Sequence, residues 1–304
     1  MTTNEEPNYQ TVEWKRSNPV KRWINLLLKS KTGTIGLVIV STVVFMAIFA
    51  EQLAPYDPAA INPGAMLQPP VWSSGGNWAH ILGTDNLGRD MLSRLIFGSR
   101  ISLLVGVSAV IVAGIIGLII GLTAGYFGGL VDNVLMRVVD TFLAIPSILF
   151  ILVVLGVFGP GLITLVLVLG AINWVLYARL IRGEVLSVKE LQYVRAAKTI
   201  GTSHTKIMLK HLLPNVFSSF IVVSTLSVAT TIIVESSLSF LGLGIQPPSI
   251  TWGLMLSTGR NYLATSWWLA TFPGVAITIT VLGIIFLGDW LRDVLDPRSQ
   301  HRKS

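Results

Sequence analysis

The sequence predicts an all-α integral membrane protein of six transmembrane helices, and three observations carry that expectation. Apolar residues make up 52% of the 304-residue chain and charged residues only 12%, with a mean hydropathy of +0.70, whereas soluble domains carry about 25% charged residues. Long uncharged runs stand at 32–50, 101–131, 141–178, 212–234 and 261–288, and about 20 residues span the hydrocarbon as helix. The basic residues, finally, are spread very unevenly over the segments between those runs.

In chain order, residues 1–31 are polar, with Lys15, Arg16, Lys21, Arg22, Lys29 and Lys31 and no apolar core of signal-peptide length, so the amino-terminal segment is expected to stay in the cytosol. The first span is expected over 32–54. Residues 55–100 follow as an external loop, where Pro55, Pro58, Pro63, Pro69 and Pro70 with Trp72 and Trp78 indicate a chain lying against the membrane interface. From Asp85 onward, Leu87, Met91 and Leu95 repeat every fourth residue beside Gly88, Leu92 and Ile96, the pattern of an interfacial amphipathic helix. A five-span core is expected over 101–290. The 38-residue run at 141–178 holds two of its spans, divided at the turn signal Phe158-Gly159-Pro160-Gly161. Residues 291–304 form the tail.

Six spans put the amino terminus, the connections after spans 2 and 4, and the carboxyl terminus on one side. Eighteen of the 22 basic residues fall there, and only Arg89, Arg94, Arg100 and Arg260 fall on the other. Both termini are therefore expected in the cytosol. The same arithmetic gives the net charge of +7 a topological origin, with no need for a nucleic-acid partner. Cysteine is absent, which excludes disulfides and thiolate metal sites.

The connection at 184–214 contains the most machinery-like stretch, YVRAAKTIGTSHTKIMLKHLLP. At 100° per residue Tyr193, Ala196, Ala197 and Ile200 share one helix face, and Gln192, Arg195, Lys198 and Thr199 the other. Gly201 stops that helix. Thr202 and Ser203 can cap a second one carrying Ile207, Met208, Leu212 and Leu213, and Pro214 marks where it must bend or restart. A headgroup-bound helix would bury large apolar residues. A face centred on Ala196-Ala197 is flat and fits a groove on another protein better.

Within span 2, Ala109, Ala113, Gly117, Gly121, Gly125 and Gly129 recur at every fourth position, a small-residue row that lets another backbone approach. Its partner is either another span of the chain or a second subunit, and the assembly described below favours the second subunit. Glu235 interrupts an uncharged stretch from Leu212 to Gly259, and lies roughly 33 Å along the helix from Leu213, near the outer face. It either pairs with an external arginine, sits at the interface, or meets substrate. Asp140 has the same alternatives at the opposite end. Gln246-Pro247-Pro248 and Trp252-Gly253 indicate a bent external element at an entrance.

Catalytic signatures are missing. No Gly is followed directly by Lys, which excludes a Walker A loop, and neither HExxH nor GxSxG occurs. His80, His204, His211 and His301 are scattered, so no shared metal site is expected. The chain is not expected to be an enzyme.

The stretch at 193–214 resembles the cytoplasmic EAA loop of binding-protein-dependent ABC importer permeases: EAA, three residues, Gly, nine residues, then IxLP. Ala196, Ala197, Gly201, Leu213 and Pro214 match, whereas Arg195 stands in place of Glu and His211 in place of Ile. LGTDNLGRDMLSRLIFGSRISLLVG at 82–106, MRVVDTFLAIPSIL at 136–149 and ESSLSFLGLGIQPPSITWGLML at 235–256 are similar to the peptide and nickel permease subfamily. Within it, the long external loop and Gly88-Arg89-Asp90 resemble the C-type member of a permease pair.

The resemblance implies a bacterial or archaeal plasma-membrane assembly of this subunit, a related permease, two cytosolic ATPases and an extracytoplasmic solute-binding protein. The chain would hold no cofactor, with ATP and Mg bound by the ATPases. Tyr193, Ala196, Ala197 and Ile200 would seat in an ATPase cleft, and Gly201, Leu213 and Pro214 would pass its movement to span 5. Substrate would enter near 82–100 and 242–256, which makes Arg89, Asp90, Glu235 and Trp252 candidates for the pathway or its gate. Peptides, glutathione and nickel are all cargo of this subfamily, and peptide fits best a chain without Cys or clustered His. The rival of another class is a self-sufficient secondary transporter or channel using Glu235 and Asp140. No inverted repeat supports it.

Overall fold

The structure is a computed structural model, and it describes residues 26–295. The expectations for Lys15, Arg16, Lys21, Arg22, His301 and most of the tail lie outside the described residues. Among these, the regular structure is helical: α1 (Lys31–Ile48), α2 (Met91–Phe127), α3 (Gly129–Ala144), α4 (Ser147–Phe158), α5 (Leu162–Val188), α6 (Gln192–Thr199), α7 (His204–Ile207), α8 (Leu213–Phe240), α9 (Trp252–Gly259) and α10 (Trp268–Leu295). A π-helical turn, Met208–Leu212, joins α7 to α8. Five helices are long and apolar enough to cross a membrane, and α3 with α4 add a sixth if that pair, bent by 84°, counts as one span.

The bend falls at Pro146, which cannot donate a backbone hydrogen bond and keeps Ile145 extended (φ −88°, ψ 121°). The turn expected at 158–161 is present, with Gly159 at φ +79°.

The centre of the fold is the contact between α2 and α5. A Cβ on Gly121 would stand 2.7 Å from the Cβ of Ile181, and one on Gly125 2.8 Å from that of Val185. One on Gly117 would stand 2.6 Å from the Trp174 carbonyl. Tyr177, Ile181 and Val185, themselves spaced by four, thus fill the trough left by the glycines, so α2 and α5 touch backbone to side chain. The small-residue row therefore serves a span of the same chain, a correction to the second-subunit assignment. The row also ends at Gly125. Gly128 turns the chain at φ +67°, and Gly129 opens α3 with nothing within 4 Å of an added Cβ.

Helices α1 and α10 pair the same way. A Cβ on Gly36 would meet the Leu287 nitrogen at 2.7 Å, and one on Gly283 the Ile39 Cβ at 2.8 Å. Buried residues of α1, α8 and α10, with Met91, Trp252 and Met255, form one core (Val43, Ala229, Ile232, Ile277, Val281, Ile284). Trp174, Tyr177 and Ala178 join Val110, Ala113 and Val139 in a second. Helix α3 is tied to α5 at two points, by the bidentate Arg182–Asp132 pair (2.5 and 2.7 Å) and by Arg179–Asp140 (2.6 Å).

The segment from Asp85 to Ile96 is not a separate interfacial helix. Asp90 caps α2, accepting from the Ser93 backbone N–H at 2.8 Å, and α2 then runs unbroken for 37 residues, so the apolar periodicity at Met91 and Leu95 belongs to the end of a long span.

Candidate functional site: the α6–α8 foot

At one end of the bundle the chain between α5 and α8 folds into a compact foot. Val194 fixes it: this residue is 3% exposed and lies in a core with Ile207 of α7, Leu212 of the π turn and Val216 of α8, and with Leu122, Ile181 and Val185 from α2 and α5. On α6, Tyr193 and Ala196 are exposed, as is the capping residue Ile200 by 80%, whereas Ala197 is buried. The four-residue face expected from the sequence is therefore divided, with Ala197 turned to the same interior side as Val194.

Gly201 closes α6. Its N–H donates to the Lys198 carbonyl and that of Thr202 to the Ala197 carbonyl, both at 3.1 Å, while Gly201 holds φ +80°. These two bonds form a Schellman end, which needs the left-handed conformation that Gly adopts without a Cβ clash. An added Cβ would meet nothing within 4 Å, so the glycine is required for its backbone angle and not for space. Pro214 does not break the chain either. It occupies the first turn of α8, where its missing N–H is absorbed by the preceding π turn, whose end is closed by the Leu213 N–H to the Met208 carbonyl. Leu213 is half-buried beside this core.

Five polar contacts that sequence reasoning missed hold the foot. The Lys189 ammonium donates to the Gly125 carbonyl at the end of α2 (2.8 Å). Tyr126 Oη lies 2.6 Å from His204 Nδ1 at the start of α7. Asn215 Nδ2 donates to Tyr193 Oη at 2.9 Å and to the His211 carbonyl at 2.6 Å. Arg195 pairs with Glu190, and that guanidinium, by its hydrogen bond first and its charge second, holds the Glu190 carboxyl below its ordinary range. The two departures from the EAA pattern thus have partners: Arg195 has Glu190, and the His211 ring faces Tyr193 at 6.2 Å. A spacing-based reading sees helix faces but not the contacts Lys189–Gly125, Tyr126–His204 and Asn215–Tyr193, whose residues lie more than twenty positions apart.

The opposite end gathers the other candidates. Asp85 Oδ1 accepts from the backbone N–H groups of Leu87 (2.9 Å) and Arg89 (3.0 Å), and its Oδ2 accepts from Arg89 Nε at 2.7 Å and lies 3.5 Å from Arg94 Nε. Asp90, besides capping α2, places Oδ1 3.0 Å from His80 Nδ1. Gly88 at φ +75° passes directly against the Asn62 carbonyl, where a Cβ has no room. The Trp252 indole donates to the Leu95 carbonyl at 2.8 Å and is 1% exposed. Glu235 is fully buried and accepts from Ser239 Oγ at 2.8 Å, with Ser236 Oγ at 3.4 Å. Its partners are hydroxyls, not an external arginine. Arg89, Asp90, Trp252 and Glu235 thus sit in the packing that fastens the loop between α1 and α2, and α9, to the bundle, and the structure does not bring them together around an opening. The Asp140 carboxylate has its partner in Arg179.

A cleft of about 540 Å³ does open nearby, between α8, α9 and α10, lined by Ile233, Ser236, Ser237, Phe240, Leu241, Leu256, Gly274, Ile277 and Thr278. At its rim Arg260 lies over the Phe240 ring and donates to the Phe240 carbonyl at 3.1 Å.

A bundle of five helices of membrane length, or six with the bent α3–α4 pair, and an anchored helical foot after α5 is the architecture of a multi-pass membrane protein. Residues 117–301 match the family model described as binding-protein-dependent transport system inner membrane component, and residues 18–70 match the N-terminal TM domain of oligopeptide transport permease C. The chain belongs to the family of binding-protein-dependent transport system inner membrane components. It is 45% identical to the dipeptide transport system permease protein DppC of Escherichia coli K12, over 92% of this chain and 93% of that one. To the di/tripeptide transport system permease protein DppC of Pseudomonas aeruginosa it is 40% identical, over the same shares. To the oligopeptide transport system permease protein OppC of Bacillus subtilis it is 38% identical, over 91% and 90%. Among solved structures, a chain of the inward-facing MetNI methionine ABC transporter shares the fold, with a TM-score of 0.54 at 19% identity over 68% of this chain and 98% of that one.

Proposed function

We propose that this chain is the C-type permease subunit of an ATP-driven importer of di- or oligopeptides, contributing half of the translocation pathway in a bacterial or archaeal plasma membrane. The observation that carries the reading is the whole-length similarity to permeases of dipeptide and oligopeptide systems, extending over about nine-tenths of both partners. Six spans, with α3 and α4 as one broken span, put both termini and the foot in the cytosol, in keeping with the eighteen basic residues on that side. The domain plan follows: 1–31 and 291–304 cytosolic, 32–54 the first span, 55–100 external, 101–290 the core with its coupling loop at 184–214.

Energy enters from other chains. ATP and Mg are bound by two ATPase subunits, one of which receives Tyr193, Ala196 and Ile200, the exposed apolar part of α6 and its capping residue. Ala197 acts from behind this face by setting its distance from the bundle. Gly201 shapes the corner, and Leu213 and Pro214 begin the helix that carries the motion outward. A related permease completes the pathway and a solute-binding protein delivers cargo to the outer end. The cleft lined by Ser237, Phe240 and Thr278 is this subunit's share of the passage, with Arg89, Asp90, Glu235 and Trp252 holding its walls and outer cover in register.

The test is reconstitution of the complete transporter, with uptake of labelled dialanine and competition by longer peptides, glutathione and nickel. ATP-dependent dialanine uptake is expected. Uptake of nickel or glutathione alone would reassign the cargo, and uptake by this chain without ATP or partners would establish the secondary-transporter reading. For the seat, Ala196→Glu should prevent co-purification of the ATPases while leaving the permease pair intact. ATPases that stay bound to that variant would overturn it.

A further inference from the structure

We propose that Asn215 is a positioning residue whose amide makes α6 and the foot of α8 move as one body, so that displacement of α6 reaches the cleft without passing through the Gly201 corner. This rests on the reading of α6 as the ATPase seat. Only the amide nitrogen can donate, and it serves two acceptors at once: Tyr193 Oη at 2.9 Å on α6 and the His211 carbonyl at 2.6 Å in the π turn below α8. The Tyr193 and His211 rings face one another across the same junction at 6.2 Å.

Covalently, α6 and α8 are separated by the Gly201 corner, α7 and the π turn, a path with several places to absorb a push. The Asn215 contact is a direct side-chain bridge across that path. Val194 inserts into the core formed by Ile207, Leu212 and Val216, so bridge and apolar anchor flank the same junction. A helix resists compression along its axis, and Ser237, which lines the cleft, stands roughly 33 Å along α8 from Asn215. Movement of α6 thus becomes movement of the cleft wall.

The chain has no cysteine, which makes a single reporter clean. In the complete transporter carrying Ser237→Cys, which is exposed in the cleft, maleimide labelling would be followed with and without ATP and vanadate. ATP is expected to change the labelling rate. Asn215→Leu, which keeps size but removes both donors, should shrink that ATP-dependent change by about two- to tenfold, the scale of one or two hydrogen bonds, with ATPases still bound. Asn215→Ala, which also removes both donors, should do the same. An unaltered response in Asn215→Leu, a normal response in Asn215→Ala, loss of ATPase association, or no ATP response in the reporter itself would each overturn the proposal. If Ala196→Glu retains its ATPases, the seat fails. If it loses them while Asn215→Leu responds normally, only the bridge fails.

Discussion

Gly121 faces Ile181 across the α2–α5 contact with space for a hydrogen and nothing more: a Cβ would stand 2.7 Å from that of the isoleucine. Gly117 and Gly125 repeat the relationship one turn to either side, against Tyr177 and Val185. Because lipid is as apolar as the helices, tight packing rather than hydrophobic transfer holds such a pair together.

Gly121→Val should therefore push α2 and α5 apart, at a cost of about 1–3 kcal/mol or more from overpacking. The expected result is a sharp fall in monodisperse protein extracted from the membrane and a lower midpoint of thermal unfolding in detergent. Gly129→Ala is the control from the same sequence pattern. Its neighbourhood is empty and its φ is +54°, so only about 1–2 kcal/mol of backbone strain is expected, with yield near that of the parent.

Asp85 closes the loop between α1 and α2. It is 4% exposed and receives two backbone N–H groups and the Arg89 guanidinium, with Arg94 beside it. Asp85→Ala removes the carboxylate beside the buried Arg94 guanidinium, leaving it the Pro58 carbonyl, and a broken buried ion pair costs about 3–5 kcal/mol. Limited proteolysis from the outer side should then cleave within residues 55–90 at protease levels the parent survives. Asp85→Asn, which can still accept the backbone N–H groups, should lie between the two.

Helices and turns were legible in the sequence because their signals are local: Gly159 marked a break, Gly201 an end, and the run lengths marked the spans. Pro146 was the exception, since a run of 38 uncharged residues does not reveal an 84° bend inside itself. The start of α2 was misplaced because Leu87, Met91 and Leu95 keep the same period at the end of a long span as in a surface helix. Which residues share a helix face was readable, but what meets that face was not. Ala197 and Val194 face the interior only because α8 begins beneath them, and Gly117 packs on Tyr177, sixty positions away. The polar pairs Asn215–Tyr193, Tyr126–His204 and Lys189–Gly125 have no sequence signature, because each depends on where three helix ends converge.

Glu235 discriminates between transport classes. Its carboxylate is enclosed and hydrogen-bonded by Ser239 and Ser236, so a neutral amide can accept from the same hydroxyls. Glu235→Gln should keep most ATP-dependent uptake, whereas Glu235→Ala, which strands buried hydroxyls, should cost about 1–3 kcal/mol of stability and show it as lost yield. A carrier driven through this carboxylate behaves oppositely, losing transport in the Gln variant while folding normally. Uptake and thermal unfolding measured on the same preparations separate the two.

Gly201 gives the last test, because conformation and space make opposite predictions there. With φ at +80° and nothing within 4 Å of an added Cβ, damage should follow each residue's tolerance of the left-handed region and not its volume. Asn enters that region readily, Ala at about 1–2 kcal/mol, and a β-branched residue with more difficulty still. ATP-dependent uptake should therefore fall in the order Gly, Asn, Ala, Val, although Asn is larger than Ala. Protease cutting between residues 199 and 204 should rise in that order, as the Schellman bonds from Gly201 and Thr202 loosen. If Ala proves harmless while Asn is damaging, size decides, and the position must then be covered by another subunit in the assembly.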